Sequence, residues 1–232
     1  MSITKGIDLT KGPTDEFAKI KRRGTTLIPL RQAGLDRFQE NGFPTTNDED
    51  WRFTSLKPFT ELPFEITNEP NSQKIDRSVI ESIAFNQHDT DRLVFVDGYL
   101  SKDLSETSDQ SGQVIVSNLA SALPTIENKI GSLSSKDKNP FIALNDVFFT
   151  DGAWIHIPAN QTLSKPVHLV FLYSAIKDGQ ASHIRNLISA EANSKGTIIE
   201  SHISLGQAAA SSNIVTETQL GDGSNLEHIK LQ

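Results

Sequence analysis

Histidines are the residues of this chain with the widest chemical range, because an imidazole can bind a metal or transfer a proton near neutral pH. Six are present, and four of them lie in segments with strand character: His156, His168, His202 and His228. Adjacent strands could stack these imidazoles into a metal site, but no two within one strand have the i, i+2 or i, i+4 spacing of a chelating pair. The sequence favours outward-facing or singly hydrogen-bonded histidines, and it places His88 and His183 in loops.

Three consecutive acidic residues form a second group that could bind a metal: Asp48, Glu49 and Asp50. The alternative is that they begin a short helical turn capped by Thr46 or Asn47, where the helix dipole favours negative charge. The second interpretation is much the commoner one. The aromatic residues that follow, Trp51 and Phe53, are then expected to pack on the first two helices, with Trp51 buried against Leu30 and Phe38.

Several classes of function are disfavoured by what the sequence lacks. There is no cysteine, which excludes a thiol nucleophile and thiolate ligands to zinc or an iron–sulfur cluster. No glycine-rich phosphate loop or nucleophile–base pair is recognisable. We therefore predict that the chain is not an enzyme, that it binds no cofactor by itself, and that no residue has a catalytic, cofactor-binding or metal-binding role.

Charge and hydropathy narrow the partners and the location. The formal net charge is −7, with 29 acidic and 22 basic residues, which disfavours nucleic acid and anionic membranes as partners. No apolar run approaches the length of a transmembrane helix, and the first six residues resemble neither a signal peptide nor a transit peptide. A cytoplasmic location is expected.

The elements that must position these residues change character along the chain. Residues 1–90 are predicted to be mainly helical, with helices over 14–23 and from Pro29 to Asn41, and residues 61–73 are predicted to be a linker. Residues 91–150 read as a mixed α/β lead-in, which ends in a helix that Asn139 caps. Residues 151–232 form a strand-rich region whose first strand segment is 150–158, followed by 167–173, 184–191, 197–203, 213–220 and 226–231.

The strand-rich region has few tight reversals. Only Gly221, Asp222 and Gly223 resemble a two-residue hairpin turn, so a parallel stack is favoured over a sandwich or a barrel. The predicted fold is mainly β with an α-helical N-terminal region, built on a right-handed parallel β-helix (solenoid). In the strand over 197–203, Ile199 and Ile203 share one side while Glu200 and His202 share the other, and one of these faces is expected to look outward.

Three blocks of sequence resemble a known family. The first runs from Gly42 and Pro44 through Asp48, Glu49, Asp50, Trp51, Arg52, Phe53 and Thr54; the second is residues 151–158 followed by Pro166 and Val167; the third is residues 220–232. These blocks are similar to the SufB/SufD family of the SUF iron–sulfur cluster assembly system. The acidic-Trp-Arg block points to the SufD branch.

The resemblance implies a function that composition alone does not give. Members of the family are scaffold subunits, in which a SufB-like and a SufD-like subunit pair, each holds a SufC-like ABC ATPase, and a cysteine desulfurase supplies sulfur indirectly. The resemblance implies that the cluster is assembled transiently by the full complex and that the fold is a parallel β-helix. Family members continue for about as many residues again, so the chain is expected to be C-terminally truncated, with the partner contacts in the missing part.

Two other classes of protein also use a β-solenoid. A carbohydrate-active lyase or hydrolase would carry acidic residues clustered on successive strands, and none are visible. A structural or adhesin solenoid would show stronger repeat identity. A non-catalytic or carbohydrate-active β-solenoid unrelated to cluster assembly is the alternative.

Overall fold

The computed structural model describes residues 11–23, 27–62, 65–67, 75–83, 89–108, 113–134 and 137–232. The α-helices are α1 (Lys11–Arg23), α2 (Ile28–Asn41), α3 (Lys57–Thr60), α4 (Ser78–Glu81), α5 (Leu119–Ile126) and α6 (Pro140–Phe148). Short 3-10 helices lie at Glu49–Trp51 and Glu127–Lys129. The strands are β1 (Glu65–Ile66), β2 (Asp91–Val96), β3 (Tyr99–Leu100), β4 (Ile115–Asn118), β5 (Ala153–Ile157), β6 (Val167–Tyr173), β7 (Gln180–Ala190), β8 (Lys195–Ser204), β9 (Ser211–Leu220) and β10 (Asn225–Leu231).

The strands form two five-stranded sheets. Sheet A holds β1, β4, β5, β7 and β9, and sheet B holds β2, β3, β6, β8 and β10. From β5 onward, consecutive strands alternate between the two sheets. Pairing is parallel along β5–β7–β9 and along β2–β6–β8–β10, whereas β2–β3 and β4–β5 are antiparallel.

The predicted fold class, a right-handed parallel β-helix, is wrong. Both sheets contain parallel and antiparallel pairs, and helices alternate with strands along the chain. The antiparallel strands β3 and β4 come from residues before 150, which the sequence interpretation assigned to a lead-in outside the sheet region. At Asp97 and Gly98 the backbone has φ values of 49° and 90°, and this tight reversal folds β3 back on β2. The chain is therefore a mixed α/β arrangement and not an all-parallel right-handed β-helix.

The individual elements agree better with their predictions. The strands expected in residues 151–232 are all present, and α1, α2 and α6 begin and end close to their predicted bounds. Asn139 caps α6 as expected, since its side-chain oxygen accepts a hydrogen bond of 2.9 Å from the backbone of Phe141. The predicted linker is partly wrong: Glu65 and Ile66 form β1 and pair with β7, while residues 63–64 and 68–73 lie outside the described part of the chain.

Apolar side chains from both sheets fill the space between them. Phe95 of β2 stacks on Phe171 of β6 with ring centroids 5.4 Å apart, and Ile155, Ile188 and Ile198 are fully buried in the same cluster. Alternate residues of the central strands face this space; on the outer faces, Leu187 of β7 and Val170 and Leu172 of β6 pack with residues of helices. The two faces of the central strands therefore contact different parts of the protein.

A helical layer covers the outer face of sheet A. Helices α1, α2 and α6 share a core that includes Phe17, Phe38 and Phe148. Helices α2 and α6 cross closely at Gly34, where an added Cβ would lie 2.8 Å from the Ala143 carbonyl oxygen. Among the described residues, no helix has the length and apolar content needed to cross a bilayer.

Candidate functional site

A buried carboxylate joins two histidines on sheet B. Glu200 of β8 is 2% exposed, and its carboxylate accepts hydrogen bonds from Nε2 of His202 (3.2 Å) and Nε2 of His228 (3.0 Å). On the other side of its ring, His202 Nδ1 lies 3.0 Å from the hydroxyl of Tyr173 on β6. The four side chains form one continuous hydrogen-bonded row across the neighbouring strands β6, β8 and β10, which we call the Glu200 row.

The Glu200 row faces the space between the two sheets. Ile198 packs in the inter-sheet core, and Glu200 and His202 follow at intervals of two, so they share its face. The register of β10 on β8 places Lys230 beside Glu200. The opposite face of β8, which carries Ile199, points away from the inter-sheet space, as expected, but it is covered, since Ile199 is only 5% exposed.

The electrostatics of the Glu200 row determine which of its atoms carry hydrogens. Burial disfavours the charged form of Glu200, but the hydrogen bonds and charges of His202 and His228 outweigh burial and lower the pKa of Glu200 to about 2. Glu200 is therefore a carboxylate at neutral pH and can only accept, so both Nε2 atoms carry hydrogens. Burial raises the pKa of Tyr173, which keeps its hydroxyl protonated, 3.0 Å from Nδ1 of His202. The row can hold and orient protons.

A cleft of about 510 Å³ opens beside the Glu200 row. Tyr173, His202 and Lys230 line one part of it. Trp51 and Phe141 line another part, with ring centroids 5.4 Å apart. Hydroxyl and amide groups complete the lining: Ser204, Ser212 and Asn213. An aromatic wall together with a few polar groups is a general feature of small-molecule sites.

The placement of the two aromatic residues in the first sequence block differs from the prediction. Trp51 is half-buried and packs on Phe141 at the start of α6, so the expectation that it is buried against Leu30 and Phe38 is wrong. Phe43 takes the place beside Phe38, with ring centroids 4.9 Å apart. Phe53, which was also expected to pack on the first two helices, is 92% exposed.

The acidic residues of the same block begin a short turn, as predicted. They precede and enter the 3-10 helix Glu49–Trp51. The residue at the N-terminal cap position differs from the prediction: it is Asp48, whose carboxylate makes no capping bond to the helix and accepts instead from the backbone N–H (2.6 Å) and hydroxyl (3.1 Å) of Thr45. Neither Thr46 nor Asn47 has this role. The turn is thus held in a defined conformation by its own side chain.

A second polar cluster lies on the outer face of sheet A, where sequence reasoning found nothing. Arg185 of β7 is fully buried and donates to Asp146 of α6, to Glu217 of β9 (3.0 Å) and to Ser134 (2.9 Å). Asp146 also pairs with Arg37 of α2. The Glu217 carboxylate accepts from the backbone N–H groups of residues 131 and 133. This cluster ties two strands of sheet A to α2, α6 and the loop before α6, and its role is structural.

Of the remaining histidines, His183 departs from the sequence interpretation, whereas His156 and His168 lie in β5 and β6 as expected. His168 is 1% exposed and His183, predicted to lie in a loop, is in β7 and 3% exposed. Burial lowers the pKa of His168 to about 4, with a further contribution from the charge of Arg92, and burial lowers the pKa of His183 to about 3. His156 stacks on Trp154, and His88 lies outside the described residues.

Within the described ranges of the chain, no group of three or more histidine, aspartate or glutamate side chains is arranged to hold a metal ion. In the Glu200 row the two imidazoles donate to different carboxylate oxygens. This arrangement suits hydrogen bonding. The sequence signal that could have found the row is a glutamate and a histidine in alternate positions of an apolar strand.

Two consecutive parts of the chain match models of a known protein family. Residues 15–169 match the family model described as the SufBD protein N-terminal region, and residues 171–232 match the SUF system FeS cluster assembly, SufBD core domain. The chain belongs to the SufBD family, whose members take part in SUF iron–sulfur cluster assembly. The resemblance drawn from the three sequence blocks is confirmed.

Individual relatives agree with this assignment. The chain is 28% identical over 218 residues to an iron–sulfur cluster assembly SufBD family protein of Synechocystis, a match that covers 89% of this chain and 47% of the relative. It is 24% identical over 211 residues to the iron–sulfur cluster assembly protein SufD of Escherichia coli, covering 90% and 47%, and 24% identical over 226 residues to SufD of Bacillus subtilis, covering 91% and 49%. The chain spans about half the length of these curated relatives.

Proposed function

We propose that this chain is part of a SufD-like scaffold subunit, which acts with a SufB-like subunit and a SufC-like ABC ATPase to assemble iron–sulfur clusters. The observation that carries the proposal is that the two family models match in order over residues 15–169 and 171–232. Two of the relatives that match along about nine-tenths of this chain are named SufD.

The structure supports a scaffolding role through the way its polar residues are used. The Arg185 cluster ties sheet A to the helical layer, and the Glu200 row joins three strands of sheet B. Both are internal contacts that make a body rigid. The chain has no cysteine, so no thiolate ligand to a cluster comes from these residues. In this proposal the subunit is not an enzyme, and the cluster forms transiently on the complete complex in the cytoplasm.

Co-purification tests the complex. The full-length gene product, tagged, is co-expressed with the SufB-like and SufC-like proteins of the same organism, and the eluate is separated by size. A single peak that contains all three proteins is expected, while an unrelated protein with the same tag serves as the control. If the tagged protein retains neither partner, the proposal is contradicted. Cell fractionation followed by immunoblotting tests the location.

Reconstitution tests the absence of a cofactor. The 232-residue chain is incubated anaerobically with ferrous iron and sulfide and then desalted. We expect no visible absorbance to stay with the protein, because the sequence contains no thiolate ligand. A stable protein-bound absorbance of cluster type would show that this chain binds a cluster by itself.

A further inference from the structure

We propose that the segment from Thr45 to Leu62 is a docking surface for a partner protein whose contacting segment carries large apolar side chains surrounded by lysine or arginine. The proposal rests on the scaffold function above, since a scaffold must receive other proteins. Three observations support it: a preorganised turn that presents an exposed aromatic ring, an apolar groove built from the same segment, and acidic residues around both.

Internal contacts hold the turn and leave one aromatic ring exposed. Asp48 fixes the start of the turn through Thr45, and Trp51 anchors its end on Phe141. Phe53 then projects with 92% of its surface exposed, and the Arg52 guanidinium lies 5.5 Å from the centre of its ring. A rigid aromatic side chain loses little conformational entropy on binding, and such residues are frequent anchors at interfaces.

The groove follows Phe53 by a few residues in the sequence. Pro58, Phe59 and Leu62 form one wall, and Ala209 and Ala210, which precede β9, form part of the other. The volume is about 280 Å³ and the lining is mainly apolar, which is enough to accept one large apolar side chain. The surface therefore offers one apolar projection and one apolar recess.

Charge complementarity specifies the partner. Asp48, Glu49 and Asp50 are exposed, and no described basic side chain forms a salt bridge with them. At the groove, Glu61 is exposed, with its only described ion pair a 3.8 Å contact to Lys57. An acidic border around apolar contacts attracts a basic segment and accelerates its association, and it disfavours an acidic one.

Binding measurements on the full-length protein test the surface. The probes are the purified SufB-like subunit, SufC-like ATPase and cysteine desulfurase of the same organism. Phe53→Ser and Leu62→Glu are compared with wild type, and Leu133→Ser is the matched control because Leu133 is also exposed, at 56%, but lies in the loop before α6. Phe53→Ser is expected to weaken binding of at least one probe about tenfold or more, with the melting temperature unchanged. Leu133→Ser is expected to have no effect.

A charge variant supplies the second readout. The double substitution Glu49→Gln and Asp50→Asn, which leaves the bonds of Asp48 to Thr45 in place, is expected to slow association with the same probe and to reduce its dependence on salt concentration. If Phe53→Ser and Leu62→Glu bind every probe as tightly as the control does, the docking surface is refuted while the scaffold function stands. If the wild-type protein binds none of the probes, the scaffold function and the docking surface are both refuted.

Discussion

Replacing Arg185 by methionine tests whether the buried cluster on sheet A holds the fold together. The substitution keeps an unbranched side chain of similar length but removes the charge and the donors to Asp146, Glu217 and Ser134. The side chains of Arg185 and Asp146 are fully buried and that of Glu217 is 2% exposed, so water cannot replace the lost contacts without rearrangement. Two buried carboxylates would lose a shared counter-ion.

The expected loss in the free energy of unfolding depends on the contacts that the two carboxylates keep in Arg185→Met. Breaking a buried ion pair by removing one partner costs about 3–5 kcal/mol. Here Asp146 keeps Arg37, and Glu217 keeps the two backbone N–H groups of the loop before α6, so the lower end of that range applies. We expect Arg185→Met to lower the free energy of unfolding by about 3 kcal/mol.

Urea denaturation followed by circular dichroism measures this loss. Glu217→Gln is the matched variant: it keeps the volume and removes one charge, and together with Arg185→Met it is expected to cost less than the sum of the two single substitutions. The loss should also shrink at lower pH. Burial raises the pKa of Asp146 and the charge of Arg185 lowers it, so without Arg185 the pKa of Asp146 rises further and its protonation on acidification favours the folded variant. A loss below about 1 kcal/mol for Arg185→Met at pH 7 would refute the reasoning.

Three further predictions concern single positions. Because Trp51 is half-buried on Phe141, Trp51→Ala should lower the free energy of unfolding by about 1–2 kcal/mol, less than the roughly 3–5 kcal/mol of a fully buried aromatic, as measured by urea denaturation. Burial lowers the pKa of His183 to about 3, below its value in the unfolded chain, so the free energy of unfolding should fall as pH drops from about 6.5 towards 3. His183→Gln should make this fall less steep, by at most about 1.4 kcal/mol per pH unit. Thermal melts across that pH range measure the difference. Gly152→Ala should prevent normal folding, because the added Cβ would lie 2.0 Å from the Arg185 carbonyl oxygen; a native-like melt would contradict this.

Local signals were sufficient to predict most of the individual elements. Asn139 before Pro140 marks the start of α6, and short apolar runs between polar turns mark each strand from β5 to β10. These features depend on residues close in sequence, through capping bonds and alternation. The antiparallel pairing of β4 with β5 was missed because it depends on which strand β4 meets, and that information is not local.

The exposed state of Phe53 could not be predicted for a related reason. An aromatic residue after Trp51 in a short turn is expected to pack, and whether it does depends on which other ring reaches the helices first. Phe43 occupies the position beside Phe38 and also contacts Phe59, at 5.5 Å between ring centroids. Which of several aromatic side chains enters a core depends on the three-dimensional positions of their segments, and the spacing of residues in the sequence does not give those positions.

The polar clusters share a spacing that explains both why they were missed and how they could be found. Because consecutive strands alternate between the two sheets, every second strand returns to the same sheet. Partners on neighbouring strands are therefore separated by similar numbers of residues: 28 for Glu200 and His228, 29 for Tyr173 and His202, and 32 for Arg185 and Glu217. Glu200 and His202 meet two residues apart in β8, but the partners of Arg185, Glu217 and His228 come from other strands, helices or loops. A charged residue in an apolar strand carries a large cost unless it is paired, so a search for its partner about 30 residues away connects the strand pattern to the interior of the protein.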